Sequence, residues 1–426
     1  MHRSAFAVGL VFLIFFVISL LTNILGPLIP DIIDSFDLSL ALAGFLPFSF
    51  FVAYGVMSIP AGMLVERYHE KRVLVVSFAL AFVGSMAFAT NPSFGVALGS
   101  LFLIGIGMAM LQVAINPLLR TAGGEEHFAF YSVAAQTIFG GASFLSPHVY
   151  TYLVQGLRAD EPANALIATL ARVVPASLPW VSLYWVFAVV TLAMVVVLAF
   201  VRLPVVELKE DERAGALATH MELFRKPIVL LYFTGIFMYV GTEQGTANWI
   251  SQFLQTYHGL DPVTAGASAV SWFWGLMTAG CLLGLVLLKL FDSRHVLVAF
   301  AGAAMVTLSF ALFGTAEVSR WAFPLMGFCA SVMWSIIFSL ALNSVERHHG
   351  AFSGILCTGI VGGAIVPLVI GWLGDAVGLR LGMTVLYLTL GYILAIGLWA
   401  RPLISNATIR DAKAAVPAGP AAGAST

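Results

Sequence analysis

Glu243 is the one acidic side chain of this sequence that lies well inside an apolar stretch; the other acids fall in polar segments or at the ends of apolar ones. Its context is Tyr239-Val-Gly-Thr-Glu243-Gln244-Gly-Thr-Ala-Asn248-Trp249. Charge is costly in a membrane interior, so an ionisable group there marks a proton relay, an ion path or a ligand contact. Gln244, Asn248 and Gln252 recur every four residues, which on a continuous helix gives one polar stripe beside the acid. The chemistry expected is proton carriage by Glu243, or its grip on a substrate hydroxyl. The structural alternative is a protonated acid bonded to a neighbouring helix.

Carboxamides form a second set. Gln112 and Asn116 are four apart and share a helix face, and Pro117 loosens the backbone just after them. Asn23 and Gln136 lie in other apolar stretches. An amide offers donors and an acceptor, which suits a neutral polyol better than an ion; bonding between helices is the alternative use. Trp272 and Trp274, Trp334 and Trp249 can stack on a sugar face or sit against lipid. The expected binding residues are Asn23, Gln112, Asn116, Gln136, Gln244, Asn248, Trp272 and Trp334, with Glu243 as the proton-coupling group.

A third set is built for gating. Gly62, Leu64, Glu66, Arg67, His69, Lys71 and Arg72 match a Gly-x-Leu-x-acid-Arg signature that ends in basic residues. Gly62 permits close helix contact, and Glu66 is placed to meet a helix N-terminus of a facing bundle. Arg67, Lys71 and Arg72 complete the expected gate. His69 stands where this signature has Gly. Degenerate copies occur from Gly284 to Arg294 and from Gly371 to Asp375, as internal duplication would leave them.

These residues need a scaffold, and the composition dictates which. With 60% hydrophobic and 10% charged residues and a mean hydropathy of +0.97, the chain reads as polytopic and all-helical. A crossing takes about 20 apolar residues. Twelve are predicted, at about 5–29, 40–64, 73–90, 94–118, 128–155, 179–200, 227–254, 263–288, 296–314, 320–342, 350–374 and 381–400. If the N-terminus is cytoplasmic, sixteen of the 20 Lys and Arg residues fall on the inside, which supports this topology and an even number of crossings. The expected organisation is a six-helix bundle over 1–200, a cytoplasmic linker over 201–226, a second bundle over 227–404 and a disordered tail over 405–426. Within the 156–178 loop, Ala165 to Val174 is expected to lie as a short surface helix. Neither the net charge of -1 nor any motif points to nucleic acid. The three cysteines lack disulfide or metal spacing, no cofactor is implied, and no nucleotide-binding loop or catalytic constellation indicates a pump or an enzyme. The expected partners are a small solute, a coupling ion and the lipid bilayer, with the chain acting as a monomer in a bacterial inner membrane.

The sequence resembles the fucose:proton symporter family of the major facilitator superfamily, and within it the glucose/galactose-like branch. The resemblance is carried by Ser58 to Gly62 and the following loop, Leu111 to Pro117, Ala135-Gln136, Tyr239 to Glu243 and Gly359 to Pro367. It implies the major facilitator fold, twelve helices in two six-helix bundles, and a hexose moved with a cation, a proton first and sodium second. Fucose carriers have a glutamate where Gln112 stands, an aspartate at about Gly26 and an asparagine at about Phe139, so the resemblance leaves three outcomes here: coupling through Glu243, coupling to sodium, or uncoupled transport. Two other readings are an exporter or antiporter of metabolites or amphipathic compounds, and a non-transporting membrane sensor.

Overall fold

The computed structural model of the chain describes residues 5–124, 128–201, 203, 217–345 and 348–403. Most of the expected linker and all of the expected tail lie outside the described residues. The described elements are helices throughout.

Nine helical stretches among the described residues are long and apolar enough to cross a bilayer. One of them, Leu40–Thr90, runs for 51 residues. At 1.5 Å per residue that is about 77 Å, more than twice a ~30 Å hydrocarbon core, and its backbone leaves helical geometry at His69. It therefore supplies spans 2 and 3. Phe128–Arg158, and Pro227–Ala247 continued by Ile250–His258, occupy the places expected for spans 5 and 7. The order of crossings is the one the apolar pattern predicts.

Spans 1 to 6 pack among themselves: Ala5–Thr22 lies on spans 4 and 5, and the span 2–3 helix lies on Phe94–Gly123 and Ser182–Phe200. In the second set, span 7 packs on Met333–Leu342, Gly362–Val377 and Val385–Trp399, while Ala267–Leu290 and Ser293–Phe313 flank Ala316–Ala330. The two bundles meet most extensively along two seams, span 2 with span 11 and span 5 with span 8, and the far half of span 1 also packs on the far half of span 7. At the second seam Gly140 admits Thr278 so closely that a Cβ there would lie 1.8 Å from its hydroxyl oxygen. The short helix expected between spans 5 and 6 forms as Ala165–Val173, capped by the Asn164 side chain on the Ile167 N–H, with Ile167 and Leu170 turned inward.

The end of the molecule that carries Arg67, Lys71, Arg72, Arg120, Lys289 and Arg294 is called the basic end below. At the far end the bundles are joined by hydrogen bonds. Thr151 of span 5 donates to the Val263 carbonyl at 2.6 Å. Ser271 of span 8 donates to the Phe144 carbonyl and pairs with His148 at 3.0 Å. The Leu40 and Ala41 N–H groups, at the start of span 2, each donate to the Asp375 carboxylate at 2.9 Å.

Candidate functional site: a broken helix around a single acid

Span 7 is not one helix. It stops at Ala247 and resumes at Ile250. Asn248 accounts for the break: its side-chain amide donates to the Gln244 carbonyl at 2.9 Å and to the Gln244 side chain at 3.3 Å. A short polar side chain that bonds back to the preceding turn competes with the helical ladder. The four-residue stripe expected from the sequence is thereby interrupted. Gln244 and Asn248 stay beside the acid, whereas Gln252, beyond the break, donates to Thr256 at 3.1 Å.

Glu243 is half-buried one turn before this break. Tyr239 donates its hydroxyl to one carboxylate oxygen at 2.5 Å, and the Gln244 amide donates to the other at 3.0 Å. The ring of Tyr239 lies 6.0 Å from Trp334, which stacks on Phe338 at 5.7 Å. Cys281 of span 8 is within electrostatic range of the acid. One carboxyl thus sits in an aromatic corner between spans 7, 8 and 10, with its acceptors met by two donors of its own helix. Such a group can exchange a proton or accept a hydroxyl without a counter-ion.

Span 1 breaks at the same depth, between Thr22 and Leu25. Asn23, expected as a ligand contact, is 5% exposed and donates to Ser143 of span 5 at 2.8 Å. Ser143 also pairs with Ser19 at 2.6 Å. One of the two amide donors of Asn23 therefore helps to hold span 1 to span 5. Gln112 is half-buried, and Asn116 and Gln136 are exposed. Apart from a long 3.5 Å contact from Asn116 to the Gln112 carbonyl, these three carboxamides have no hydrogen bond among the described residues. By helix rise, Asn116 and Gln136 lie about 10–12 Å from the basic end and Gln112 about 16 Å, while Glu243 lies about 24 Å deep. The free amides stand between the basic end and the acid, on the first bundle. The acid and its partners are on the second.

Trp272 is 41% exposed, with its ring 5.2 Å from Phe144. Two residues on, Trp274 is 4% exposed and its indole N–H has no acceptor among the described residues. Trp274, Met277 and Cys281 share one face of span 8. The flanking faces are taken by span 5, through Gly275 against Phe144, and by span 10, through Gly280 against Ser331 and Gly284 against Val332. Cys281, on the Trp274 face, donates its thiol to the Ser331 carbonyl of span 10 at 3.2 Å, and Trp274 itself is buried. Spacing alone did not separate the two tryptophans; the contacts of the neighbouring turns do.

A buried acid on the far half of span 1 also escaped the sequence reading. Asp31 is 9% exposed, accepts the Tyr150 hydroxyl and lies 3.6 Å from Arg158, so it clamps the far end of span 1 to span 5. Its only sequence signal is its offset of eight residues from Asn23, on the extension that the helical break makes possible.

At the basic end Gly62 is half-buried, and Glu66, Arg67 and Arg72 are exposed, with the Arg67 guanidinium 5.3 Å above the Tyr68 ring. Lys71 donates to the Ala199 and Val201 carbonyls at 3.0 and 2.8 Å, which cap the C-terminal end of span 6. Its bonds remain within the first bundle. His69 adopts φ 64° and ψ 158°, the geometry for which the signature's glycine is suited. In the degenerate copy, Asp292 accepts from the Arg294 N–H at 2.8 Å and pairs with its guanidinium at 3.1 Å. These Arg294 hydrogen bonds hold the Asp292 carboxyl below the usual carboxylate range against a smaller opposing effect of burial.

Comparison with known proteins agrees with this architecture. The sequence profile of the Major Facilitator Superfamily matches residues 11–360. The chain is 31% identical over 402 residues to a "Glucose/galactose transporter" of Brucella abortus, covering 92% of this chain and 93% of the relative. It is 25% identical over 386 residues to an "L-fucose-proton symporter" of Escherichia coli, covering 86% of each. The crystal structure of the E. coli fucose:proton symporter superimposes with a TM-score of 0.67 at 20% identity, over 94% of this chain and all of that one. A bacterial homologue of the human lysosomal transporter Spinster superimposes with a TM-score of 0.71 at 16% identity, over 93% of this chain and 97% of that one. The helix order, the two packed bundles and an extended match in sequence and in fold place the chain in the Major Facilitator Superfamily, as an integral membrane transport protein.

Proposed function

We propose that the protein is a secondary carrier that moves a monosaccharide by alternating access, in symport with protons taken up by Glu243. The observation that carries this reading is the acid itself: a carboxyl about 24 Å inside the bundle, bonded by Tyr239 and Gln244 and faced by aromatic rings rather than by a cation. Relatives named for glucose, galactose and fucose transport support the sugar. The unengaged carboxamides of Gln112, Asn116 and Gln136 supply donors and acceptors for its hydroxyls. Gln244 and Asn248 hold the acid in place, and Trp334 forms an apolar wall against which a sugar face can stack.

In this reading the basic end faces the cytoplasm, with both chain termini, and the membrane is a bacterial inner membrane. The bundles correspond to 1–200 and 227–404, joined by 201–226 and followed by a tail over 405–426. The Gly62 to Arg72 segment acts at the cytoplasmic gate. The protein works as a monomer, and sodium is the alternative coupling ion.

The test is uptake by purified protein in liposomes. Glu243→Gln should abolish accumulation driven by a pH gradient while leaving sugar exchange at least partly intact. Uphill uptake that persists in the variant removes Glu243 from the coupling role, and a sodium requirement in the parent protein replaces the proton.

A further inference from the structure

The Gly371 to Asp375 segment repeats the Gly-x-Leu-x-acid spacing of Gly62 to Glu66, but at the opposite end of the molecule and on the other bundle. We propose that it is the far-end latch of the carrier: Asp375 of span 11 holds that end shut by capping the helix that begins span 2. The proposal rests on the transporter reading but on no particular solute.

Three observations combine. First, both carboxylate oxygens of Asp375 are used, one by the Leu40 N–H and one by the Ala41 N–H, each at 2.9 Å. These donors are the first two of the helix and have no partner within it. The Ser39 hydroxyl caps the third, at 3.2 Å from the Leu42 N–H. Cap and carboxylate together satisfy the start of span 2, and the negative charge complements the positive end of the helix dipole. Secondly, the glycine of the motif makes the approach possible. A Cβ on Gly371 would lie 2.4 Å from the Leu40 carbonyl oxygen, and one on Gly374 would lie 2.9 Å from the Leu40 side chain. At Gly371 the near atom is backbone, so span 11 can bring its acid this close to the helix start only with that side chain missing. Thirdly, the contact joins the two bundles. Asp375 belongs to the second and Leu40 to the first, so it must break when the far end opens.

The spacing of the motif now has a mechanical meaning. Gly lets a backbone of the facing bundle come close, and the acid four residues on reaches that bundle's exposed helix start. Asp375 is a positioning residue: it acts on the balance between the two states and not on the solute. Because it is exposed, solvent competes for each bond, and the expected change is roughly ten-fold in the open-to-closed ratio at the far end.

The experiment measures that ratio directly. Spin labels are attached at Glu161→Cys and Val318→Cys, exposed positions of the two bundles at the far end, after Cys281, Cys329 and Cys357 are changed to alanine and flux is checked. Asp375→Ala should raise the long-distance population roughly ten-fold, with Asp375→Asn, which loses the charge and one acceptor, in between. Gly371→Ala should act in the same direction with the carboxylate still present. Should Asp375→Ala not survive purification, Asp375→Asn and Gly371→Ala carry the comparison. Unchanged distance distributions in Asp375→Asn and Gly371→Ala would overturn the latch. Shifted distances in a protein that transports no sugar uphold the latch and count only against the solute assignment.

Discussion

Gly26 and Ala247 touch where spans 1 and 7 are both broken: a Cβ built on Gly26 would lie 2.3 Å from the Ala247 carbonyl oxygen. Two interrupted helices, one from each bundle, are thus pressed together at the depth of the candidate site. The fucose carriers that this chain resembles place an aspartate at about this position. Here there is no room for one while the far end is closed.

Gly26→Asp is therefore expected to force spans 1 and 7 apart rather than to add a second coupling acid. Overpacking of this kind costs about 1–3 kcal/mol, and an unpaired carboxylate adds to that. Thermal unfolding in detergent should fall by several degrees, and liposome uptake should drop. Gain of uptake with retained stability would show that the crevice opens wider than the Gly26 contact allows.

His69 pays for a glycine-like backbone. Conformations of this kind cost a non-glycine residue about 1–3 kcal/mol, and the greater freedom of glycine in the unfolded chain returns about 0.5–1 kcal/mol of any gain. His69→Gly should raise the unfolding free energy by a net of about 0–2.5 kcal/mol, read as a higher unfolding midpoint. A lower midpoint would mean that the imidazole makes a contact worth more than the strain.

Trp274 buries an indole N–H that has no acceptor among the described residues, an arrangement that costs about 1–3 kcal/mol. If the solute supplies that acceptor, Trp274→Phe should leave thermal stability equal or higher and weaken solute binding roughly ten-fold. Titration calorimetry on purified protein reads both effects. Unaltered affinity would return Trp274 to the packed wall between spans 5 and 10.

Asp292 predicts a pH response at the basic end. Its folded carboxyl is held below its unfolded value by Arg294. Its contribution is present in full above the unfolded value, about pH 4, and is lost as the pH falls through the lower folded value. Asp292→Asn should lower stability slightly at pH 7 and flatten the loss of stability as the pH falls below about 4. The same acid slope in both proteins would assign that slope to other carboxylates.

The all-helical, many-crossing architecture was legible because it depends on two coarse quantities, apolar length and the side on which Lys and Arg collect. Glu243 was legible for the same reason, as a polar exception in an oily run. The breaks at Asn23 and Asn248 were not, since a few residues that leave helical geometry do not alter hydropathy. That is why the polar stripe was carried on to Gln252, although a repeat of four holds only on an unbroken helix. The bond from Asn23 to Ser143 was not legible, because the partner is 120 residues away and indistinguishable in sequence from any other small polar residue. Asp31 looked like an interfacial acid because only the fold extends span 1 far enough to bury it against Tyr150.

Tyr239, Glu243, Gln244 and Asn248 all ride on span 7, so in the cycle proposed here the acid keeps the same companions whichever mouth is open. A proton would meet an identical acceptor on arrival and on departure. Direction of flow is then left to the relative supply on the two sides of the membrane, and the same machine should run backwards when that supply is inverted.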